Sequence, residues 1–540
     1  MREAVKSERS QREPDDALVP RIARAAFAIA AISVAAKLLS FVEKLLIAYY
    51  FGADHRVDAF FVAYSVAYLF FLMVRELIEP AFLPLFVRNL RSDRERRGWR
   101  LFTVVAVLVG VVTGGYAAYA WLDAGAVVRR LAPGFGPEAL GHAEHLTRVM
   151  IPAVVPLGLS ALTYITLNGY RRFALPAAGD LALKAMPILA CVILVQGLGI
   201  TALAVGFLAG AALRLGVHAF GLRDKLRWIG PPGRESRDDL IQLAWLMLPL
   251  VVGAAFSFVS ELADNYFSSQ IGEGGVSARA FAKKLRDLPL ELAPYTLSVV
   301  LFPFFASMAA TGDTGRLARL FATAAHAIAI VFAPLAVGMI LLAEPLVSLA
   351  LERGAFGAEA RTLAASALAM YGIGMVTFAV ETVLVNFFFA LRDTLTPIAV
   401  GLFGVALNIA LCALLIEPLG VAGVALALTL SKSVKLVVLA VLLPRKGPYL
   451  RWGALGAASL RLLAAAGVSA LGLRAFVAAA EIDLAAAGTV AKAVHLSLGG
   501  AISLALFLAT LAAVGRRERD LMLALPGFLR SIGHRPRIPR

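Results

Sequence analysis

Ionisable side chains stand inside long apolar runs of this chain, and they cluster. Lys37, Glu43 and Lys44 share one run, and Asp58, Arg75, Glu76 and Glu79 the next. In the second half, Glu261 and Asp264 share one run, and Lys283, Lys284, Arg286, Asp287 and Glu291 another. In hydrocarbon each such group costs on the order of 2.5 to 3.5 kcal/mol, so it must pair, reach an interface or line a polar cavity. Helical spacing puts Lys37 and Lys44 on one face, and Lys284, Asp287 and Glu291 on another. Cations at mid-membrane depth suit an anion such as a phosphate or pyrophosphate, while the interleaved acids argue against a plain anion pore. A hydrated cleft lined by these four helices, between two lobes, is the expectation.

Each charge also has a structural reading. Arg75 with Glu79 and Lys283 with Asp287 have the spacing of ion pairs within one helix. Lys432 and Lys435 are expected to snorkel toward headgroups rather than bind substrate. Lys184 and Glu381 stand alone at depth, which favours a functional role. Asp58, Asp264 and Glu273 fall near span ends, where water is expected to reach them. Lys37 has no acid three or four residues away.

The elements that must position these groups follow from composition. The chain has 540 residues, 60% hydrophobic and 16% charged, too few charges to cover a water-soluble protein of this length. About fourteen runs are long enough to cross a hydrocarbon core of about 30 Å, from Ile22–Tyr50 through Val149–Leu167 and Ala278–Met308 to Val490–Leu511. They are continuously apolar, without the alternation of a transmembrane barrel. The fold class is therefore an all-α integral membrane protein. The net charge of +16 is concentrated in the tails and in connections on one side, which the positive-inside rule makes cytoplasmic, with both termini there. It implies no nucleic-acid partner. The plan is a cytoplasmic tail over 1–21, an amino-terminal lobe of six helices over 22–222, and a basic linker over 223–239. A second six-helix lobe over 240–443, a loop over 444–459, two further helices over 460–511 and a basic tail over 512–540 complete it. No connection has room for a soluble catalytic domain. Cys191 and Cys412 lie in apolar runs, the seven histidines show no ligand spacing, and no Gly-rich phosphate loop precedes a Lys-Ser/Thr pair, so metal, redox and ATP chemistry are not indicated. No cofactor is expected.

The halves repeat. Leu83-Pro84-Leu85-Phe86 matches Phe302-Pro303-Phe304-Phe305, and Arg100-Leu101-Phe102 matches Arg319-Leu320-Phe321, both 219 residues on. Phe135-Gly136-Pro137-Glu138-Ala139 matches Phe356-Gly357-Ala358-Glu359-Ala360, and Pro176 matches Pro397, both at 221. An offset of six helices preserves membrane orientation, giving parallel repeats of the kind that serve alternating access.

Several stretches resemble the MurJ/MviN family. They are Lys37-Leu38-Leu39-Ser40-Phe41, Ile47 to Ala53, Val57 to Tyr64, Leu131-Ala132-Pro133-Gly134-Phe135, Ile271 to Ser277, Glu352 to Phe356 and Phe389 to Pro397. The resemblance covers most of the chain in order. It implies two six-helix lobes plus two helices, within the multidrug/oligosaccharidyl-lipid/polysaccharide exporter superfamily. It also implies a flippase that moves an undecaprenyl-pyrophosphate-linked glycan, lipid II first, across the bacterial inner membrane. Membrane lipids are the other expected partner, and no protein partner is named. The family's cavity basic residues fall on Lys37 and Lys284, and its acid after the Phe-Gly-Ala turn on Asp58.

The chain departs from that pattern. Glu43-Lys44 reverses the family's charge order, and Ala67-Tyr68-Leu69-Phe70-Phe71-Leu72 replaces its second-helix arginines, with Arg75 about one turn further on. Lysine for arginine at 37 and 284 removes the planar fork that holds phosphate at two points. The expected substrate set is Lys37, Lys44, Asp58, Arg75, Glu79, Lys284 and Asp287. The family's sodium-site positions read Asn408 and Cys412, so a candidate ion site comprises Asp264, Asn408 and Thr429. Coupling to sodium, protons or membrane potential stays open. The alternatives are an O-antigen or exopolysaccharide repeat-unit flippase, a drug antiporter of the same superfamily, and a polytopic polyprenyl-dependent glycosyltransferase. The last is disfavoured because the external connections, such as Gly134 to Glu144 and Glu352 to Arg361, carry no metal-like cluster.

Overall fold

The computed structural model describes residues 32, 34–91, 95–231, 236–292, 305–446, 452–480 and 487–514. The tail over 1–21, the residues after 514, the beginning of the Ile22–Tyr50 span and the middle of Ala278–Met308, with Pro294 and Pro303, lie outside this set. All regular structure among the described residues is helical. The main helices are α1 (34–51), α2 (His55–Arg91), α3 (Glu95–Leu122), α4 (Ala124–Leu131), α5 (Pro137–Met150), α6 (Val154–Gly169), α7 (Ala174–Leu198), α8 (Thr201–Gly221) and α9 (Ser236–Ser269). They continue with α10 (Gly275–Leu292), α11 (Thr314–Leu341), α12 (Ala343–Leu351), α13 (Ala358–Ile373), α14 (Met375–Ala390), α15 (Leu395–Leu419), α16 (Val421–Leu442), α17 (Trp452–Ala480) and α18 (Thr489–Val514).

Among the described residues, ten helices are long and apolar enough to cross a membrane, and twelve if two bent pairs each count as one span. The remaining two expected spans run partly outside the described residues. The Gly134–Glu144 segment, expected as a loop, is largely helical: α5 continues through a 3-10 turn at Ile151–Ala153 into α6, forming one long span. Its repeat counterpart breaks at Gly374, with 52° between α13 and α14.

Why these helices belong in lipid is visible on α3. Its buried residues include Trp99, Phe102, Val105, Val109, Thr113, Ala117 and Ala120, a stripe at helical spacing. The opposite face is also apolar, with Val107, Leu108, Val111 and Val112 exposed. A helix apolar all round, exposed on one side, needs an apolar solvent.

The described residues form two compact units, one falling within Met1–Ile47 and His55–Phe258, the other within Ala48–Asp54 and Val259–Arg540. The division falls within α9. In the first unit, the buried Asp239 at the start of α9 accepts from Arg88 at the end of α2 (3.0 Å) and from Arg97 of α3 (2.7 Å). The hydrophobic cluster beneath it contains Phe82, Phe86, Trp99, Phe102 and Leu243.

Element boundaries carry the repeat further than the short motifs do. The starts of α3 and α4 recur as those of α11 and α12 at an offset of 219, and the starts of α5 to α8 as those of α13 to α16 at 220 or 221. The turns recur as well. Arg171 and Arg392, 221 apart, take left-handed φ of 59° and 58° where a helix ends, and Arg172 and Asp393 each donate their N–H back into that last turn. Gly199 and Gly420, also 221 apart, both have φ 54° with ψ near −130°, a region that only glycine adopts readily. Identical turns hold α7–α8 and α15–α16 as tight hairpins.

The α7–α8 contact depends on a missing side chain. A Cβ at Gly206 would lie 2.6 Å from Pro187 Cα and 2.8 Å from Ala190 Cβ, whereas one at Gly216 would meet nothing within 4 Å. We predict that Gly206→Val destabilises the purified protein by about 1 to 3 kcal/mol, through overpacking. Gly216→Ala should be neutral or stabilising by up to about 1 kcal/mol. Thermal unfolding in detergent micelles distinguishes the two.

Candidate functional site

In the first unit the charges gather around aromatic rings. Tyr64 and Tyr68, one turn apart on α2, stack with centroids 4.9 Å apart, and Phe207 of α8 meets Tyr64 edge-on at 5.2 Å. Two lysines reach this box. Lys44 of α1 lies over the Phe61 ring at 4.3 Å and the Tyr64 ring at 5.5 Å, with Glu43, itself buried, 3.9 Å from its ammonium. Lys184 of α7 donates to the Tyr64 hydroxyl at 3.3 Å and stands 5.2 Å from the Tyr68 ring. Among the described residues, the direct contacts of the Lys184 ammonium are neutral: a phenol oxygen and two ring faces. Such contacts tolerate a half-buried cation, while the Glu43 carboxylate acts on it electrostatically from further off. Lys184, alone in sequence, is thus placed by Tyr64 and Tyr68, which composition did not single out.

A second group lies further along α2. Arg75 pairs with Glu79 at 3.4 Å, as their spacing predicts, and stacks over Tyr164 at 5.0 Å. The fully buried Arg214 of α8 pairs with Asp180 of α7 at 2.9 Å and lies over Phe71. Sequence reading missed this pair because its members are 34 residues apart on separate helices. Asp58 is 1% exposed, so the expectation that water bathes it at a span end is corrected. It sits in the first turn of α2, where the helix dipole favours an acid. Lys37 is half-buried on α1.

In the second unit, α9 and α10 are laced together. Glu261 accepts from Lys283 and lies 3.9 Å from Arg279, which also approaches Asp264 at 3.4 Å and bonds Asn265. The expected Lys283–Asp287 pair is not what forms. Lys283 reaches across to Glu261, and Asp287 instead takes Arg286 at 2.6 Å. Arg286 in turn lies over Tyr371 at 4.5 Å and Phe378 at 5.1 Å. Lys284 is 3.9 Å from Glu291, consistent with their shared face. Arg279, near the start of α10, was not singled out in sequence, although it is the cation that organises Glu261 and Asp264.

Of the candidate ion site, two members meet. Asn408 donates to Asp264 at 3.0 Å, and both are buried, which corrects the expectation of a wet Asp264. Thr429 donates to the Met370 carbonyl at 3.0 Å. Asp264 already faces the Arg279 guanidinium, which brings the positive charge that a sodium ion would otherwise supply. Glu273 is exposed, as expected.

Lys432 and Lys435 do not snorkel, and Glu381 is not alone. Their ammonium groups sit 2.8 and 2.7 Å from the two oxygens of that buried carboxylate. Two lysines sharing one glutamate satisfy it more cheaply than either could by stretching to an interface. The separation of 51 residues between Glu381 and Lys432 hid this.

Outside the spans, Glu352 gathers Lys492 (3.1 Å), Arg361 and Ser348, and these donors hold its carboxyl below the usual range against the opposing effect of burial. The pair Arg172–Asp224, bidentate at 2.7 Å, pushes the aspartate down to about 2. The histidines, expected to show no ligand arrangement, converge at one place among the described residues: His55, Glu138 and His142 come together in the first unit.

Helical repeats, two units and charge matched inside apolar helices define a multi-pass membrane transporter rather than an enzyme. The fold is similar to a solved lipid II flippase MurJ in an inward closed conformation, with a TM-score of 0.76 at 18% identity, covering 92% of this chain and 99% of that one. It is also similar to an inward-facing multidrug resistance MATE family transporter of the MOP superfamily, with a TM-score of 0.65 at 14% identity, over 78% and 95%. In sequence, the lipid II flippase MurJ of Burkholderia cenocepacia is 28% identical over 444 residues, 79% of this chain and 84% of that protein. The family model described as lipid II flippase MurJ matches residues 47–485. The chain belongs to the MurJ family.

The Glu381 arrangement makes a direct prediction. Glu381→Ala leaves two half-buried ammonium groups without their carboxylate and should cost about 1 to 3 kcal/mol. Combining it with Lys432→Met should recover part of the loss. Thermal unfolding of the purified protein in detergent reads both, and an unchanged midpoint in the single variant would contradict the pairing.

Proposed function

We propose that this chain is a flippase for lipid II, the undecaprenyl-pyrophosphate-linked peptidoglycan precursor, working by alternating access in the bacterial inner membrane with both termini cytoplasmic. The observation that carries this reading is the family match across residues 47–485, which spans both units. The charge pattern supports it. A pyrophosphate needs cations within reach, and Lys184 with Lys44 at the Tyr64 box supplies them in the first unit. Lys37 joins them from α1, and Lys284 is the cation of α10 in the same role. Asp58, Glu79 and Asp287 are acids and shape the polar path rather than hold the diphosphate, and Arg75 joins them because it is paired more closely with Glu79, at 3.4 Å, than Lys44 or Lys284 is with its own acid, at 3.9 Å. The polyprenyl tail stays in lipid. Coupling runs through protons or membrane potential rather than sodium at Asp264, because Arg279 already occupies that carboxylate.

The test is transport in vesicles holding only the purified protein, with lipid II and an undecaprenyl-pyrophosphate-linked O-antigen unit offered separately, under imposed sodium, proton or electrical gradients. Lipid II should cross and the O-antigen unit should not; the reverse result would overturn the assignment. Lys37→Met should slow lipid II transport by about tenfold, the value of one charge-assisted hydrogen bond. Full activity in that variant removes Lys37 from the site.

A further inference from the structure

Metal-ligating side chains from distant parts of the chain converge at one place among the described residues. His55 is the first residue of α2, and Glu138 and His142 stand one turn apart on one face of α5. His55 Nε2 is 3.2 Å from Glu138 Oε1, the two imidazole rings have centroids 5.5 Å apart, and the three donor atoms lie within 4.8 Å of one another. A tetrahedral ion with bonds of about 2.1 Å holds its ligand atoms about 3.4 Å apart. One pair is already at that spacing, and a side-chain rotation brings in the third.

The surroundings favour a site over an incidental contact. α2 and α5 pack against each other. Pro137 at the first helical position, after an extended Gly136, fixes the start of α5 and so the position of Glu138 in its first turn. A salt link between His55 and Glu138 needs no second imidazole, yet His142 is turned toward the same point. Glu138 is 76% exposed and His55 27%, so an ion can enter from solvent and keep a water as fourth ligand. Two imidazoles and one carboxylate are a donor set for Zn²⁺ and neighbouring transition ions, and a poor one for Mg²⁺ or Ca²⁺, which call for oxygen ligands.

We propose that His55, Glu138 and His142 form a transition-metal site, with Zn²⁺ the best-fitting ion, which braces the first turn of α2 against the first turn of α5. It lies at the opposite end of α2 from the Arg88–Asp239 link, so it fixes the end of the helix that lacks that clamp. The site is independent of the flippase assignment.

The experiment uses the full-length protein, purified with a tag free of histidine, in detergent micelles. Calorimetric titration with Zn²⁺ should give one ion per chain and a raised unfolding midpoint, and Co²⁺ should show the intense visible bands of a low-coordinate site. His142→Ala and Glu138→Gln should each weaken Zn²⁺ binding by at least about tenfold, since loss of even an outer partner of a metal ligand costs that much. The exposed Glu138 keeps the second variant from disturbing packing, and His145→Ala on the same helix should bind as wild type. Equal Zn²⁺ affinity in wild type and both ligand variants, or Mg²⁺ binding as tight as Zn²⁺, would overturn the proposal.

Discussion

Desolvation of charge is the constraint from which the rest of this structure follows. A chain this apolar gives its helices lipid as a solvent, and lipid offers an ionised group nothing in exchange for its water. The protein answers in two ways. Most buried charges meet an opposite charge, as Arg279 meets Glu261 and Asp264, Lys432 and Lys435 meet Glu381, and Arg214 meets Asp180. A few cations rest on aromatic faces and phenol oxygens, and Lys184 at Tyr64 and Tyr68 is the plainest case. The first solution holds helices together. On the proposed function, the second keeps a positive charge available for a substrate.

The repeat supplies the frame in which both solutions operate. Turns at Arg171 and Arg392, and at Gly199 and Gly420, reproduce the same backbone 221 residues apart, so α7–α8 and α15–α16 are built on one hairpin plan. The side chains within that frame have diverged. The first unit carries the Lys184 and Lys44 box, whereas the second matches its charges more completely through Arg279, Lys283 and Arg286. The helix frame is symmetric and the chemistry is not.

Much of this was legible in the sequence. Continuous apolar runs gave the spans, and Pro, Gly and Arg at fixed offsets gave the repeat, because backbone turns depend on residues adjacent in the chain. Pairs within one helix, such as Arg75 with Glu79, were equally readable. Partners on different helices were not. Glu381 with Lys432, Asp180 with Arg214 and His55 with His142 each join residues that periodicity along one helix cannot bring together, so Lys432 and Lys435 read as snorkelling side chains and the histidines as scattered. In sequence the start of α5 reads as loop because Gly, Pro and charged residues dilute its apolar face, although the packing of α2 against it stabilises the helix. The aromatic box around Lys184 left no signal in charge spacing at all.

The central claim is that Lys184, a half-buried cation in direct contact with neutral groups, binds the pyrophosphate. The most direct measurement is the affinity of the purified protein for lipid II in Lys184→Met and Lys184→Arg, each compared with wild type at equal thermal stability. The account predicts that the methionine variant binds at least about tenfold more weakly while the arginine variant retains most of the affinity. Undiminished binding by a folded Lys184→Met protein would contradict it.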